Sequence, residues 1–243
     1  FARNWYQLDP VKIGASKVSI NNILTDPATY NAEYGAITGA AHTINNALLV
    51  KANNRSYEAK GIQTVANYTF ETGKTKHDID FGIRYHEDFE DRFQWVDGYA
   101  IQNGVMNRTS NGTPGTDANA IVKAEAIAAH ILYNLSIDKF TFTPGIRYED
   151  IKLNSLNYGT NDVIRAGTTL AKANNKTNVW IPGMGILYKI NDDYNIFTSV
   201  HKGFSPPGVK AGEDAESSLN TELGFRFHKN ALQGEIIGYY NNF

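Results

Sequence analysis

Three short segments of the chain repeat one order of residue types: glycine, apolar, arginine, aromatic. They are Gly82–Tyr85, Gly145–Tyr148 and Gly224–Phe227. An arginine guanidinium can bind a carboxylate or phosphate through two parallel hydrogen bonds. The arginines of the repeat, Arg84, Arg147 and Arg226, could therefore bind an anionic ligand. They could equally pair with Asp or Glu side chains beside them and hold a protein wall together, which is the commoner role.

A second group of recognition-type side chains lies in one long connection, Phe89–Lys123. The group consists of Arg92, Gln94, Trp95, Tyr99, Gln102 and Arg108. Cationic, amide and aromatic groups together suit a polyanionic complex, and loops often carry binding residues. Ordinary solvated loop positions are an equally open interpretation.

Metal binding, enzymatic catalysis and nucleic-acid binding are not expected from this sequence. The chain has no cysteine, and its histidines form neither a close helical pair nor an HExxH motif. Ser199 and His201 share one strand face without an evident orienting partner, so no nucleophilic site is predicted. The 23 Lys and Arg residues against 25 Asp and Glu exclude a basic nucleic-acid footprint. We therefore predict no catalytic residues, no protein metal ligands and no cofactor.

The dominant pattern in the sequence is an alternation of apolar and polar residues with a period of two. The strands that it predicts must position the residues named above. From Leu219 to His228, apolar side chains and polar side chains take alternate positions, which a strand separates and a helix mixes. The same split predicts strands at His77–His86, Glu125–Leu135 and Phe140–Glu149. Weaker patterns predict further strands at Tyr57–Phe70, Val179–Ile190, Tyr194–Lys202 and Leu232–Tyr240, with a partial one at Phe1–Leu8.

The connections between these strands alternate in length. Tight turns are predicted at Thr72–Lys76, Ser136–Lys139, Asn191–Asp193 and Lys229–Ala231, and long links at Asp9–Arg55, Phe89–Lys123, Asn154–Thr177 and Gly203–Ser218. Short turns on one rim and long loops on the other are typical of outer-membrane barrels, whereas a soluble sandwich mixes lengths. No run of 18 apolar residues offers a helical span.

The predicted fold is therefore all-β: part of an antiparallel transmembrane β-barrel, with about nine strands of a larger barrel. An arginine on the lipid-facing wall costs about 2–4 kcal/mol at mid-membrane, so the three repeat arginines are expected to face the lumen. The chain begins within one strand and stops just after another, which suggests an interior fragment whose targeting segment lies upstream. We expect a curved antiparallel sheet with both edges exposed.

Several of these segments resemble TonB-dependent outer-membrane receptors, in particular the ferric-dicitrate branch. The similar segments are Phe1–Asp9, Gly82–Asp88, Pro144–Asp150, Trp180–Gly183, Tyr194–Gly208 and Glu222–Phe227, with Glu216 and Asn220. The resemblance covers most of the chain except the long loops. It implies a Gram-negative outer-membrane barrel of about 22 strands whose lumen is filled by an N-terminal plug domain.

The resemblance also implies what such a receptor does. It implies import of a ferric chelate, either ferric citrate or another siderophore, with energy from an inner-membrane TonB complex that pulls the plug. Iron would arrive already chelated, and the other partner would be outer-membrane lipid. Residues 1–243 are expected to be barrel alone, because neither plug nor energy-coupling box is visible in them.

Two other functions stay open. One is a passive porin or a receptor for another substrate, such as a saccharide or cobalamin. The other is a soluble or surface β-protein used for adhesion, which predicts polar residues on both strand faces. The apolar faces of His77–His86 and Leu219–His228 contradict that pattern.

Overall fold

The computed structural model describes residues 2–3, 6–13 and 16–243, with side chains from Lys17 onward. Within the predicted first strand, Phe1, Asn4 and Trp5 lie outside the described residues. Strands and helices are numbered along the chain. The strands are β1 (Ala2–Arg3), β2 (Tyr6–Ile13), β3 (Ser16–Val18), β4 (Leu48–Ala52), β5 (Arg55–Thr72), β6 (Thr75–Gln102), β7 (Val105–Ser110), β8 (Ala118–Ile137), β9 (Phe140–Asn157), β10 (Ala171–Lys189), β11 (Tyr194–Ser205), β12 (Glu216–Lys229) and β13 (Leu232–Asn242). The helices are α1 (Ile20–Thr25) and α2 (Asn31–Ile37).

The strands form an open sheet, with antiparallel pairing between neighbours. Its main path follows the order β13-β12-β11-β10-β9-β8-β6-β4-β2-β3, while β5 and β7 each pair with β6 and β1 pairs with β5. The β11–β12 ladder runs from Tyr194 opposite Phe227 to Ser205 opposite Glu216. The β12–β13 ladder continues from Leu219 opposite Asn242 to Lys229 opposite Leu232. The all-β, antiparallel prediction is confirmed, with ten strands on the main path instead of about nine.

The eight predicted strands beyond residue 8 are present, and the tight turns between them are confirmed. Left-handed backbone conformations close three of these turns, at Gly73 (φ 64°), Asp138 (φ 49°) and Asn230 (φ 54°). Glycine, aspartate and asparagine tolerate positive φ better than other residues, which is why they stand at these positions.

The prediction of a loop throughout Phe89–Lys123 was wrong. Strand β6 continues to Gln102, β7 pairs back onto it, and β8 begins at Ala118. The apolar alternation fades after Tyr85 because charged side chains occupy the following positions, yet the backbone ladder does not need apolar side chains. Asp9–Arg55 was likewise not a plain link, since it contains β3, β4 and both helices.

The chain divides into two compact units. Unit 1 comprises Phe1–Glu58, Phe89–Lys123 and Ser155–Lys172. It has a small apolar core, in which Ile23, Ala36, Leu48 and Ile101 are buried. Helix α1 begins after Ser19, whose hydroxyl oxygen accepts a hydrogen bond from the Asn22 N–H at 3.2 Å.

Unit 2 comprises Ala59–Asp88, Ala124–Asn154 and Ala173–Phe243. It consists of strands, their tight turns and the longer connection of residues 206–215, and its large apolar side chains are mostly exposed. Among the described residues of the whole chain, no helix has the length and apolar character needed to cross a membrane.

Candidate functional site

The strands of unit 2 have one apolar face whose side chains are exposed. On neighbouring strands, Ile127 is 54% exposed, Ile146 is 42% exposed and Met184 is 42% exposed. Exposed apolar side chains continue over β5, β6, β11 and β12, as Ile62, Ile83, Val200 and Leu223. A continuous apolar face of this size is characteristic of contact with lipid or with another protein.

The apolar face ends toward the long links on five strands. On each of them an apolar residue is followed, two positions further toward the long links, by a charged or amide residue. The pairs are Ile62 and Lys60, Tyr85 and Glu87, Ile127 and Glu125, Tyr148 and Asp150, and Trp180 and Asn178. The same change on successive strands indicates the edge of an apolar layer.

Aromatic rings border the apolar face at both of its ends. The Tyr148 and Trp180 rings are 4.8 Å apart, and near the tight turns the Phe140 and Tyr188 rings are also 4.8 Å apart. Tyr148 stands eight positions after Phe140, which is about 27 Å along a strand. At a tilt of about 40° this corresponds to about 20 Å across the layer, comparable with the ~25 Å apolar band of outer-membrane barrels.

The three repeat arginines lie on the opposite, polar face of unit 2, as predicted from the alternation. Arg147 donates from Nε to Glu149 at 2.6 Å, and Arg226 donates from Nε and Nη2 to Glu235 at 3.0 Å. The Arg84 guanidinium lies 2.9 Å from His86 Nδ1. The three arginines stand on β6, β9 and β12, which are not adjacent in the sheet, so each has its own local partner.

Packing against the neighbouring strand explains the glycine in each copy of the repeat. A Cβ added at Gly82 would lie 2.2 Å from the His130 ring, and one at Gly224 would lie 2.2 Å from the Phe197 ring. At Gly145 it would lie 2.9 Å from the Leu132 side chain. Each glycine therefore leaves space for a large side chain of the neighbouring strand. At the third copy, the Arg226 guanidinium lies 5.0 Å from the Phe197 ring centroid, in cation–π contact.

A groove of about 440 Å³ lies on unit 2 across β8 to β11. Three glycines line it, together with side chains of both strand faces, among them Ile146, Met184 and Val200 of the apolar face. The glycines are Gly145, Gly183 and Gly185, and the polar side chains include His130, Thr143, Arg147, Ser199 and His201. The Ser199 hydroxyl donates to Glu222 at 3.4 Å. The exposed lining of the groove is mostly apolar, so the groove is not a site for a polar ligand.

The six predicted loop residues all lie in unit 1, five of them on β6 and Arg108 on β7. Tyr99 stands directly opposite Arg108 in the β6–β7 ladder, so these two are brought together. Gln102 and Arg108 are exposed, while Arg92, Trp95 and Tyr99 are half-buried. Gln94 is only 2% exposed, so a ligand could reach its side chain only if the surrounding chain moved. Among the described residues, Gln94 Nε2 and Arg92 Nε are buried without a hydrogen-bond partner.

Sequence reasoning missed an arginine of unit 1 that makes several contacts, Arg165. Its Nη1 and Nη2 donate to the two Asp91 oxygens at 2.9 and 2.5 Å, and its Nε donates to Asn119 at 2.7 Å. The guanidinium also lies 4.6 Å from the Phe93 ring centroid and 5.4 Å from that of Tyr158. The hydrogen bonds to Asp91 raise the Arg165 pKa, and burial opposes them.

Asp162 organises the same connection between β9 and β10. Its carboxylate accepts hydrogen bonds from the backbone N–H groups of Ala166, Gly167 and Thr168, at 2.8, 2.7 and 3.1 Å. Burial raises the pKa of this carboxyl, but the hydrogen bonds together outweigh burial, and the pKa is lowered. The turn-forming composition around Asp162 and Gly167 is the only sequence signal that pointed to an ordered loop here.

Residues 17–243 contain no group of three His, Asp or Glu side chains arranged to hold a metal ion. The consecutive residues His86, Glu87 and Asp88 are divided between the two faces of strand β6. His86 Nε2 lies 3.2 Å from Asp88, whereas the Glu87 carboxylate accepts a hydrogen bond from the Tyr85 hydroxyl.

Comparison with known proteins gives a family match over most of the chain. Residues 4–243 match the family model described as "TonB dependent receptor-like, beta-barrel". Members of this family are outer-membrane β-barrel transporters of Gram-negative bacteria and not enzymes. This agrees with the predicted fold, the predicted location and the expectation of no catalytic activity.

Solved structures with the same fold include three iron-related receptors. The unliganded ferric citrate transporter FecA is 20% identical, with a TM-score of 0.64 over 79% of this chain and 28% of that chain. The ferric-catecholate import receptor Fiu from E. coli K12 is 16% identical, with a TM-score of 0.59 over 80% of this chain and 32% of that chain. The siderophore receptor PiuA from Acinetobacter baumannii is 17% identical, with a TM-score of 0.57 over 78% of this chain and 33% of that chain.

The chain therefore spans about a third of the length of these receptors. The apolar face of unit 2 is a lipid-facing wall, and its polar face is the lumen wall. With its family match over residues 4–243, the chain belongs to the TonB-dependent receptor family and forms part of that family's outer-membrane β-barrel.

Proposed function

We propose that this chain is part of an outer-membrane receptor that imports a ferric chelate, ferric citrate or another siderophore, with energy from the TonB system. The observation that carries the proposal is the two-faced wall of unit 2, apolar toward lipid and lined by arginines toward the lumen. The three similar structures are those of a ferric citrate transporter, a siderophore receptor and a ferric-catecholate import receptor, which supports a ferric ligand. Energy coupling would act through a plug domain and the TonB inner-membrane complex.

Ligand contacts are proposed first at the exposed loop residues. Gln102 at the end of β6 and Arg108 on β7 are exposed, and Tyr99 lies beside Arg108. Cationic, amide and phenol groups at one hairpin suit a chelate with several carboxylate or phenolate oxygens. Arg92, Gln94 and Trp95 are less accessible. We propose that their main role is to support the hairpin and that ligand contact is secondary for them.

The lumen arginines are proposed to act second, along the path of the ligand. Arg147 and Arg226 keep 41% and 51% of their side chains exposed although each is paired with a carboxylate. A guanidinium has five donors, so donors remain for a passing anion. Arg84 is proposed to act in the same way.

An uptake assay of the full-length receptor tests the proposal. The gene would be expressed in iron-starved cells that lack their own ferric citrate and siderophore receptors, with and without a functional TonB protein. We expect saturable uptake of radioactive iron from one chelate, and its loss without TonB. Uptake that rises linearly with concentration and persists without TonB would show a passive porin. Failure with every iron chelate but competition by cobalamin or a saccharide would assign another substrate.

A variant pair tests the loop contacts. Arg108→Gln is expected to weaken chelate binding about tenfold, because it removes a charge-assisted hydrogen-bond donor. Lys17→Gln removes an exposed positive charge from β3 of the same unit and serves as the control, with binding unchanged. Equal affinities of the two variants would contradict the role of Arg108.

A further inference from the structure

Three side chains that can donate hydrogen bonds lie on one side of the sheet in unit 1. We name them the buried donor cluster; they are Asn53, Arg92 and Gln94. Gln94 is 2% exposed and Asn53 is 5% exposed, while Arg92 is half-buried. An arginine side chain has donors and no acceptor, and each amide adds an NH2 group. The cluster is therefore rich in donors and suits a guest that accepts hydrogen bonds.

The backbone register places the three side chains side by side. Arg92 and Gln94 are two positions apart on β6, so both point to the same side of the strand. Ala52 stands opposite Trp95 in the antiparallel β4–β6 ladder. The next pair along the two chains is Asn53 and Gln94, and the residues of a cross-strand pair share one face. The Asn53 amide therefore lies beside the Gln94 amide.

Two donors of the cluster lack a hydrogen-bond partner within the part of the chain that the structure describes. They are Arg92 Nε and Gln94 Nε2, and both atoms are buried. A buried donor without an acceptor costs about 1–3 kcal/mol, and in native proteins such a donor commonly meets a bound water or ion. The Gln94 main chain is held in place, because its carbonyl accepts from the Gly115 and Asp117 N–H groups at 2.9 and 3.0 Å. An acceptor is therefore expected to come to the donors.

The arginines around the cluster favour an anion over a water molecule. Lys60 is paired with Glu87 at 3.0 Å, which continues the register of the β4–β6 ladder along β5. Arg55 therefore comes opposite Arg92. Arg3 on β1 is in turn the residue opposite Arg55. Three arginines thus occupy neighbouring positions on three strands, and their positive charge attracts an anion.

The acidic side chains near the cluster are bonded to other groups. The pairs are Glu90 with Arg55 at 3.1 Å, Asp117 with Lys51 at 3.1 Å, Asp88 with His86 at 3.2 Å, and Asp91 with Arg165 at 2.5 Å. Among residues 17–243, Arg92 has no ion-pair partner of its own. The half-buried Arg92 guanidinium therefore carries a positive charge that no described carboxylate contacts.

We propose that the buried donor cluster binds a small inorganic anion, which would be chloride in a saline medium. Arg92 Nε and Gln94 Nε2 would donate to the anion, and the Asn53 amide would complete its shell. A monatomic ion fits better than a chelate, because Asn53 and Gln94 are too deeply buried for a chelate to reach. The anion would join β4 to β6 and so stabilise the hairpin that carries Arg108. This role does not depend on which ligand the receptor imports.

The test uses the full-length receptor in a mild detergent. Sodium chloride is raised from about 1 to about 200 mM, and sodium gluconate, whose anion is much larger, keeps the ionic strength constant. Hydrogen exchange is followed at the Gly115 and Asp117 amides, which donate to the Gln94 carbonyl. We expect chloride to slow their exchange roughly tenfold, since an ion that binds only the folded state stabilises it. Crystals soaked in bromide should show an anomalous peak within hydrogen-bond distance of Arg92 and Gln94.

Two variants and a control separate this site from general effects of salt. Arg92→Gln removes the charge, and Gln94→Met removes the buried amide with little change in volume. Exchange in both variants should be independent of chloride. Lys17→Gln makes the same change in net charge as Arg92→Gln at an exposed position of unit 1, and it should keep the full response to chloride.

Equal exchange of the unaltered receptor in chloride and gluconate would overturn the proposal. A full response to chloride in both cluster variants would do the same. If Arg92→Gln fails to assemble, Gln94→Met decides the question, because it leaves the charge in place. Slower exchange with sodium citrate but not with chloride would show that an organic carboxylate occupies the cluster, which also contradicts the proposal.

Discussion

The side chain of Arg165 shows how much one residue can order a long connection. Its guanidinium joins Asp91 on β6, Asn119 on β8 and the rings of Phe93 and Tyr158. Both Arg165 and Asp91 have side chains less than a third exposed, so solvent screens this pair only partly. Bidentate geometry adds orientation to the attraction. The β9–β10 connection is therefore held in place by one residue near its middle.

Replacing Arg165 is expected to release this connection. Arg165→Gln removes the charge and the paired hydrogen bonds, and it leaves Asp91 without its partner, at a local cost of about 2 kcal/mol. Amide hydrogen exchange at residues 158–170 should accelerate roughly 30-fold as a result. Lys172→Gln removes an exposed charge at the end of the same connection and should leave exchange unchanged. Equal exchange in the two variants would show that Arg165 does not hold the loop.

The pKa of Asp162 predicts how the same connection responds to acid. Burial raises this pKa, but the amide hydrogen bonds outweigh burial and lower it, so the folded carboxyl titrates below its unfolded counterpart. A depressed folded pKa gives stability that is complete above the unfolded value and is lost as pH falls through the folded value. Protection of the Ala166, Gly167 and Thr168 amides should therefore be constant from neutral pH down to about 5 and fall below about 4.

The matched variant for this prediction is Asp162→Asn. An asparagine accepts with one neutral oxygen, so protection of the three amides should be lower and should no longer depend on acid in this range. Exchange rates would be divided by the intrinsic rate at each pH before comparison. An acid transition that persists in Asp162→Asn would assign the titration to another group.

Among the elements, the strands that cross the membrane were the most predictable from sequence. In Phe140–Glu149 and Leu219–His228 the two strand faces meet different environments. Apolar and polar residues therefore alternate with a period of two. The prediction failed where both faces meet similar environments. From Phe89 to Gln102 the strand β6 belongs to unit 1, and its side chains mix charged, amide and aromatic types. Helices α1 and α2 are 6 and 7 residues long, too short for a helical period to be recognised.

For the candidate site, the sequence predicted only the strand face on which a side chain lies. Alternation placed Arg84, Arg147 and Arg226 on the polar face, and the carboxylate partners of two of them were anticipated as a class. Arg165 was not anticipated because its partners Asp91 and Asn119 are 74 and 46 positions away along the chain. The residues next to Arg165 in the sequence do not indicate such long-range pairs. The burial of Gln94 was missed for the same reason, since it depends on how separate segments of unit 1 pack.

A charge placed on each face of β9 tests which face meets lipid. Ile146→Lys puts an ammonium on the exposed apolar face between mid-membrane and the Tyr148 border, at an expected cost of about 1–3 kcal/mol. Thr143→Lys puts the same group on the lumen face of the same strand, where water can solvate it. We expect the Ile146 variant to reduce the folded fraction on a heat-modifiability gel, and the Thr143 variant to assemble normally. The opposite ranking would mean that the two faces have been assigned the wrong way round.

At the scale of the whole molecule, the two units owe their stability to different sources. Unit 1 buries an apolar core of its own around Ile23, Ala36, Leu48 and Ile101. Unit 2 exposes its large apolar side chains and depends on lipid to cover them. Damage to the core of unit 1 should therefore impair the loops that we propose to bind ligand, while membrane assembly continues.

Ile23 and Leu24 provide a matched pair for this last prediction. Ile23 is 0% exposed and Leu24 is 59% exposed, although they are neighbours on α1. Ile23→Ala removes buried methyl groups and should destabilise unit 1 by about 2–4 kcal/mol, whereas Leu24→Ala should change its stability little. Hydrogen exchange of residues 20–52 should accelerate in the first variant alone, and chelate binding should weaken with it. Both variants should give the same folded fraction on a heat-modifiability gel, because neither alters the lipid-facing wall. A parallel loss of folded barrel in Ile23→Ala would instead show that unit 2 cannot assemble without an intact unit 1.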